Sequence, residues 1–351
     1  MRKPELNIIV PLLNERSEIA SFLTNMVEQQ DVDYELIFVD GGSTDGSLEY
    51  LQQAVFPGRV FSSEVGRARQ MNAGVQQAEA EWLLFLHIDS RFSDPRALRR
   101  ALDMLQQPGS INLAGHFALK FRRREKTPSH AYYFYEWKAR LGRPETIHGD
   151  QGFLLRKELF FRLNGFSEDM TVMEDTDFAE RLREVGQWQL LPAEISTSAR
   201  RFETEGLWQR QLLGALIMCF RDVGWQQFFV EAAGVYRQQN KADQLQIRPF
   251  FALVRQLLKA LPVKERFLLW WRCGGYVRRH AWQLFFAVDA MRAFYLKFPP
   301  GQGSLRVTNC FEPLWNLLSD NLFGRLVATF ALRCWFEIVD LWLRVREAIT
   351  R

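Results

Sequence analysis

Cysteine is scarce in this chain and falls late: Cys219, Cys273, Cys310 and Cys334 are the four among 351 residues. No CxxC pair or metal-type spacing joins them. That excludes a zinc ribbon and a disulfide scaffold, and points to buried or free thiols in a reducing compartment. Long apolar runs are missing too. The longest clean one, residues 212–220, falls well short of the roughly 18 residues a spanning helix needs, so no bilayer crossing is expected. Excess charge of one sign is also absent: 45 Lys and Arg against 41 Asp and Glu leave +4, too mild a balance to argue for nucleic acid as a partner. There is no low-complexity tract, and Met1 to Leu6 leads straight into a strand pattern, so no signal peptide is expected. What is present is the composition of an ordered globular protein, 47% hydrophobic and 25% charged. Its length suits about two domains.

The N-terminal part alternates strand and helix signals. Apolar runs at 6–10, 36–39 and 82–86 read as strands, 59–61 as a further short strand, and helical spacing marks 14–30, 47–54, 66–78 and 95–105. This alternation predicts an α/β, Rossmann-like, mostly parallel sheet flanked by helices, with ligands at the C-terminal strand edges. Near residues 205–225 the character changes. Trp, Phe and Arg dominate, strand signals thin out, and apolar residues recur at helical spacing, as in Phe267-Leu268-Leu269-Trp270-Trp271. The expected division is 1–210, an α/β domain, and 211–351, an α-helical region.

Acidic stations fall at the expected strand ends. Asp40-Gly41-Gly42-Ser43-Thr44-Asp45 follows the second strand, and His87-Ile88-Asp89 follows the fourth. An Asp where a buried strand ends can hold a divalent cation in the crevice above the sheet. Glu174-Asp175-Thr176-Asp177 opens a helix carried by Phe178, Leu182 and Val185. One cap explains one acid there, not three in four positions, and mutual repulsion should raise at least one pKa, which suits a general base. Arg67 and Arg69 sit in the first turn of another helix, where cations oppose the dipole; a nearby diphosphate would offset that conflict, and Arg67 is the better candidate.

Together these residues carry a resemblance. Val10-Pro11-Leu12-Leu13-Asn14-Glu15, the Asp40 to Ser47 turn, the His-Ile-Asp turn and Glu174-Asp175-Thr176-Asp177-Phe178 with Arg181 and Gly186 resemble family 2 glycosyltransferases of the GT-A fold. The stretch Gly66-Arg67-Ala68-Arg69-Gln70-Met71-Asn72-Ala73-Gly74 resembles a bacterial subgroup of that family. The match is collinear over about residues 5–205.

The resemblance implies a nucleotide-sugar donor. Its base and ribose would rest on Pro11, Glu15, Asp40 and Asp45. Asp89 would coordinate Mg2+ or Mn2+ on the diphosphate, with Arg67, Arg200 and Arg201 sharing the charge. His87 stands where the family usually has an acid, so it favours a softer metal such as Mn2+ or hydrogen-bonds a ribose. His148, Asp150 and Gln151 would form a loop facing donor sugar or acceptor. Asp175, with Glu174 second, would take the acceptor's proton, and one displacement implies inversion. The acceptor, lipid-linked or saccharide, is not named by any residue pattern. The aromatic and basic C-terminal helices have two readings, the core of a helical bundle or a surface lying on a bilayer. The expected location is therefore cytoplasmic, with or without a peripheral place on the inner face of the cytoplasmic membrane. A rival from another class is a non-catalytic sugar-nucleotide binder or membrane-surface scaffold with a degenerate site, supported by His87. Nucleotidyl transfer, the third option, calls for a Gly-rich loop after the first strand, where this chain has Pro11-Leu12-Leu13-Asn14-Glu15.

Overall fold

The computed structural model describes residues 3–107, 112–170, 172–239 and 244–350. The chain divides into two compact units, Met1–Ser198 and Ala199–Arg351.

The first unit is built on eight strands: β1 Leu6–Leu12, β2 Tyr34–Asp40, β3 Gly58–Ser62, β4 Trp82–Phe85, β5 Arg91–Phe92, β6 Leu113–Arg122, β7 Phe153–Arg156 and β8 Gln187–Ser198. Its helices are α1 Arg16–Val27, α2 Ser47–Gln53, α3 Arg67–Gln77, α4 Ala97–Leu105, α5 His130–Lys138, α6 Lys157–Arg162 and α7 Glu174–Val185. The strands form one mixed sheet in the order β3-β2-β1-β4-β7-β6-β8-β5. Four of its seven neighbouring pairs are parallel. The expected α/β sheet flanked by helices, followed by a helical C-terminal region, is what the chain forms.

Strand β1 shows why the early strands are near-continuous apolar runs. Ile8 and Val10 point into one core with Ile19 and Phe22 of α1 and Leu98 and Leu102 of α4. Ile9 points into the opposite core with Met71 and Val75 of α3 and Phe178 of α7. A strand covered on both faces needs apolar residues at every position, not at alternate ones. Helix α3 lies close on the sheet because Gly74 has no side chain: a Cβ there would meet Ile9 Cγ2 at 2.6 Å.

Strand direction decides which loops share a rim. β1, β2 and β4 run parallel, so Leu12, Asp40 and Phe85 end on the same edge. β7 runs against β4, which puts the loop before Phe153 at that edge. β6 runs against β7, and β8 runs with β6, so the C-terminal end of β8 returns to it.

The second unit is helical: α8 Arg200–Glu205, α9 Leu207–Asp222, α10 Gln226–Arg237, α11 Arg248–Ala260, α12 Val263–Arg279, α13 Trp282–Tyr295, α14 Arg306–Ser319 and α15 Leu322–Thr350. Phe228, Phe250, Phe251, Leu257 and Phe336 are among the residues of its own core. Cys219 and Cys273 are free and buried in it, and the hydrogen bond from Cys273, together with burial, pushes the Cys219 thiol up. Among the described residues no helix is long and apolar enough to cross a membrane.

Candidate functional site

The loops after β1 and β2 are stitched to one another. Asn14 accepts from Thr44 N–H at 2.8 Å, its own N–H donates to Ser43 Oγ at 2.8 Å, and Arg16 N–H donates to Asp45 Oδ2 at 2.9 Å. Glu15 N–H donates to Ser47 Oγ. Asn14 adopts φ 54, a left-handed conformation that Asn tolerates better than most residues. Asp45 also accepts from Ser47 N–H at 3.0 Å, so its carboxylate tethers the first turns of both α1 and α2. Asp40 is 1% exposed, and its carboxylate accepts from Gly42 and Ser43 N–H at 2.9 and 3.0 Å, shaping the turn that follows β2. From below, the Gln70 amide donates to Leu12 O and Val39 O at 2.7 and 2.8 Å, clamping the ends of β1 and β2 together. Pro11 lies in the same rim, paired in register with Val39.

The second half of the rim gathers acids. Asp89 Oδ2 accepts from Thr197 Oγ1 and Ser198 N–H, both at 3.0 Å, which ties the turn after β4 to the end of β8. Arg91 locks the same turn from behind. It is 9% exposed and donates to Ile88 O, Ser90 O, Ser21 Oγ and Glu18. The 3₁₀ turn Gly149–Gln151 precedes β7. Its Gly149 N–H donates to Asp175 Oδ2 at 2.6 Å, bringing the α7 N-terminus to this loop. Asp175 Oδ1 accepts from Thr176 N–H at 2.8 Å, and His148 Nδ1 meets Thr176 Oγ1 at 3.1 Å.

Charge then differentiates these carboxyls. Asp150 is raised to about 7, first by burial and then by the charges of Asp175 and Asp89. The residue is half-buried, but its Oδ1 is shut off from water and has no hydrogen-bond partner. Glu174, 4% exposed, is raised by burial and by Asp175, against the pull of Arg67. Burial also acts to raise Asp175, but His148, the Gly149 N–H and Arg67 outweigh it and hold this carboxyl below its ordinary value. Arg67 Nε stands 3.8 Å from Glu174 Oε1, facing the acids, whereas Arg69 turns outward to Glu64 at 2.7 Å. Within the run Glu174–Asp177 it is Glu174 that is raised, by burial first and by Asp175 second, while Asp175, the residue expected to act as base, is lowered.

Among the residues read from sequence, Arg67, Asp89, His148, Asp150, Glu174 and Asp175 are therefore brought together; Pro11 and Glu15 line the same rim at β1, the strand beside β4, and Asp40 and Asp45 at β2, one strand further, about 10 Å from the end of β4. His87 is half-buried in the β4 turn. Gln151 is 1% exposed and donates to Thr146 O at 2.6 Å, bracing its loop from within. Arg200 and Arg201 open α8, in the second unit. Sequence reading missed Gln70, Arg91 and His116. His116, in β6, is fully buried against the Gln151 side chain, whose weak contact does not offset the loss of water around the ring. Among the described residues no group of three or more His, Cys, Asp or Glu could hold a metal ion by itself.

Residues 7–164 match the family model for glycosyl transferase family 2. An uncharacterised glycosyltransferase of Haemophilus influenzae is 28% identical over 183 residues, covering 50% of this chain and 61% of that protein. A PGL/p-HBAD biosynthesis glycosyltransferase of Mycobacterium bovis is 34% identical over 112 residues, covering 28% of this chain and 41% of that one. The chain thus spans less than two thirds of either relative. Among solved structures, a Pyrobaculum calidifontis mannosyltransferase in complex with GDP-Man and Mn2+ aligns over 97% of this chain and 88% of its own, with 19% identity and a TM-score of 0.48. The family 2 resemblance carried by the motifs holds over the matched segment.

Proposed function

We propose that the first unit, matched over residues 7–164 to glycosyl transferase family 2, moves a sugar from a nucleotide-diphosphate sugar to an acceptor hydroxyl with inversion. The observation that carries this reading is the meeting of Arg67 with Asp89, Asp150, Glu174 and Asp175 at the C-terminal rim of the sheet. The nucleoside rests on the stitched loops at Pro11, Glu15, Asp40 and Asp45, whose rigidity comes from their mutual hydrogen bonds. Arg67 opposes the charge of the diphosphate.

A hard divalent cation is commonly held by one or two carboxylates with substrate phosphates completing its shell. Asp89 and the unpartnered Asp150 Oδ1 offer oxygens of that kind, and Mg2+ or Mn2+ held there would neutralise the leaving diphosphate. Asp175 is ionised at neutral pH and fixed by the Gly149 and Thr176 N–H groups. It accepts the acceptor's proton as the hydroxyl oxygen bonds to the anomeric carbon. The carbon–oxygen bond to the diphosphate breaks on the opposite face, and the diphosphate departs with the electron pair. A base so placed contributes typically 10²–10⁴-fold in rate. Asp175→Asn is expected to lower kcat by about that factor while donor affinity, measured by titration calorimetry, stays within a few-fold. Equal loss of donor binding would overturn the assignment.

One observation favours a second assignment within the same reaction. Both Asp175 oxygens already accept backbone hydrogen bonds, whereas Asp150, with the cation resting on Asp89 and the substrate phosphates alone, keeps an unpartnered oxygen and a pKa near the working pH of a general base. If Asp150 is the base, Asp150→Asn takes the larger loss in kcat and abolishes the acid limb of the pH–rate profile. If Asp175 is, that limb survives in Asp150→Asn.

A further inference from the structure

We propose that the uncovered face of α13, α14 and α15 in the second unit is a docking surface for an anionic phospholipid bilayer. The observation is a set of apolar stripes left bare at helical spacing. On α13 and the turn after it, Leu284, Val288, Met291, Tyr295 and Phe298 are all exposed, at steps of three and four residues. On α15 the sequence Phe323, Val327, Phe330, Ile338, Leu341, Val345 and Ile349 repeats the pattern through most of its 29 residues, with Phe330 70% and Ile338 66% exposed. Helix α14, which packs on both, adds Leu314, Leu317 and Leu318. The second unit has its own core on the other side of α15, where Phe336 and Leu343 are buried. An apolar surface of this extent is unusual on a monomer and marks a binding face.

Charge selects the occupant. From Val263 to the end of the chain there are thirteen Lys and Arg against seven Asp and Glu, +6, whereas residues 1–262 carry −2. The acids of the three helices are already engaged. Glu337 pairs with Arg255, Asp320 with Arg278 and Glu347 with Arg248; Asp340 is buried between Arg255 and Arg344, and Asp289 is buried capping Thr308. The exposed cations Arg292, Lys297, Arg306 and Arg333 have no ion-pair partner among the described residues. Uncompensated cations beside apolar stripes fit an anionic interface, with aliphatic and aromatic side chains entering the headgroup–acyl boundary and the basic ends reaching phosphate. Trp335 and Trp342, both partly exposed on α15, suit the same depth. A second copy of the chain would set these unpaired cations against their own kind. Among the described residues no helix is long and apolar enough to cross a membrane, so the proposed contact lies in its plane.

This surface uses residues of the second unit only and holds whatever the first unit transfers, so it is tested without donor. The full chain is sedimented with vesicles of phosphatidylcholine alone or mixed with phosphatidylglycerol. The expected result is partition on the order of tenfold stronger to the anionic vesicles, weakening with salt. Both Phe330→Glu/Ile338→Glu and Arg292→Glu/Arg333→Glu lose it while keeping the native circular dichroism. Quenching of tryptophan emission by brominated lipid reads the same contact in the unaltered chain. Equal binding to both vesicles, no quenching, or binding indifferent to these substitutions overturns the proposal. So does a lipid-free dimer in light scattering that Ile338→Glu converts to monomer, since a second copy then covers the face.

Discussion

Asp150 and His116 are single groups whose titration should be visible in stability. Burial depresses His116 to about 4, so it is neutral in the folded chain and takes up a proton on unfolding below its ordinary pKa of about 6.5. The unfolded state binds more protons between those values. His116 therefore withdraws stability as pH falls from about 6.5 to about 4, by up to ~3 kcal/mol. His116→Leu should gain stability relative to the parent across that window in urea titrations at stepped pH. Asp150 has the opposite sign. Its raised pKa makes it a burden that grows as pH climbs from about 3.8 to about 7 and is constant above that, so Asp150→Asn should raise the melting temperature more at pH 8 than at pH 5, by calorimetry. The two histories differ in the sequence. Asp150 lies in a polar loop that the sequence sets apart, although its raised pKa rests on burial and on the neighbouring charges of Asp175 and Asp89. His116 sits in an unremarkable stretch, and its isolation follows from a sheet register joining residues more than thirty positions apart.

At the scale of elements, the GRARQMNAG stretch separates into parts that the sequence could not distinguish. Arg67 faces the acids, but Gln70, Asn72 and Gly74 are architectural: Gln70 clamps two strand ends, Asn72 holds Phe166 by N–H and C=O, and Gly74 admits the helix to the sheet. Gln70→Ala removes the side-chain donor from two buried carbonyls, of which Leu12 O keeps the Gly41 N–H, an expected cost of about 1–2 kcal/mol. Gly74→Val forces α3 off Ile9 at a similar or larger cost. Chemical denaturation measures both. The strands β1, β2 and β4 were legible because burial on both faces leaves runs of apolar residues, whereas β3 is partly exposed along its length and signalled only by Val60 and Phe61. β6 and β8 were not. β6 carries Gly115 and His116 before a register shift, and β8 is half-exposed with Pro192 within it, so neither keeps a clean period. The loops between them gave no signal of the contact that matters most, from Thr197 and Ser198 to Asp89.

For the whole molecule, the matched segment ends at residue 164 while the compact unit runs to Ser198. The difference holds Glu174, Asp175 and the β8 residues that fix Asp89. A chain cut after residue 205 should bind nucleotide sugar as the parent does, and one cut after 190 should lose binding and cooperative unfolding together, by calorimetry and thermal melts. The turn from α/β to helical character was readable in composition, whereas the end of the first unit was set by the pairing of β8, which composition does not encode. The interlocked loops at 14–16 and 43–47 carry a practical corollary for anyone seeking a different donor. Side chains there spend their polar atoms on each other, so single changes tend to break the rim instead of retuning it. Directed evolution should find its tolerant positions elsewhere, in the segment leading from β6 through α5 to the Gly149 turn.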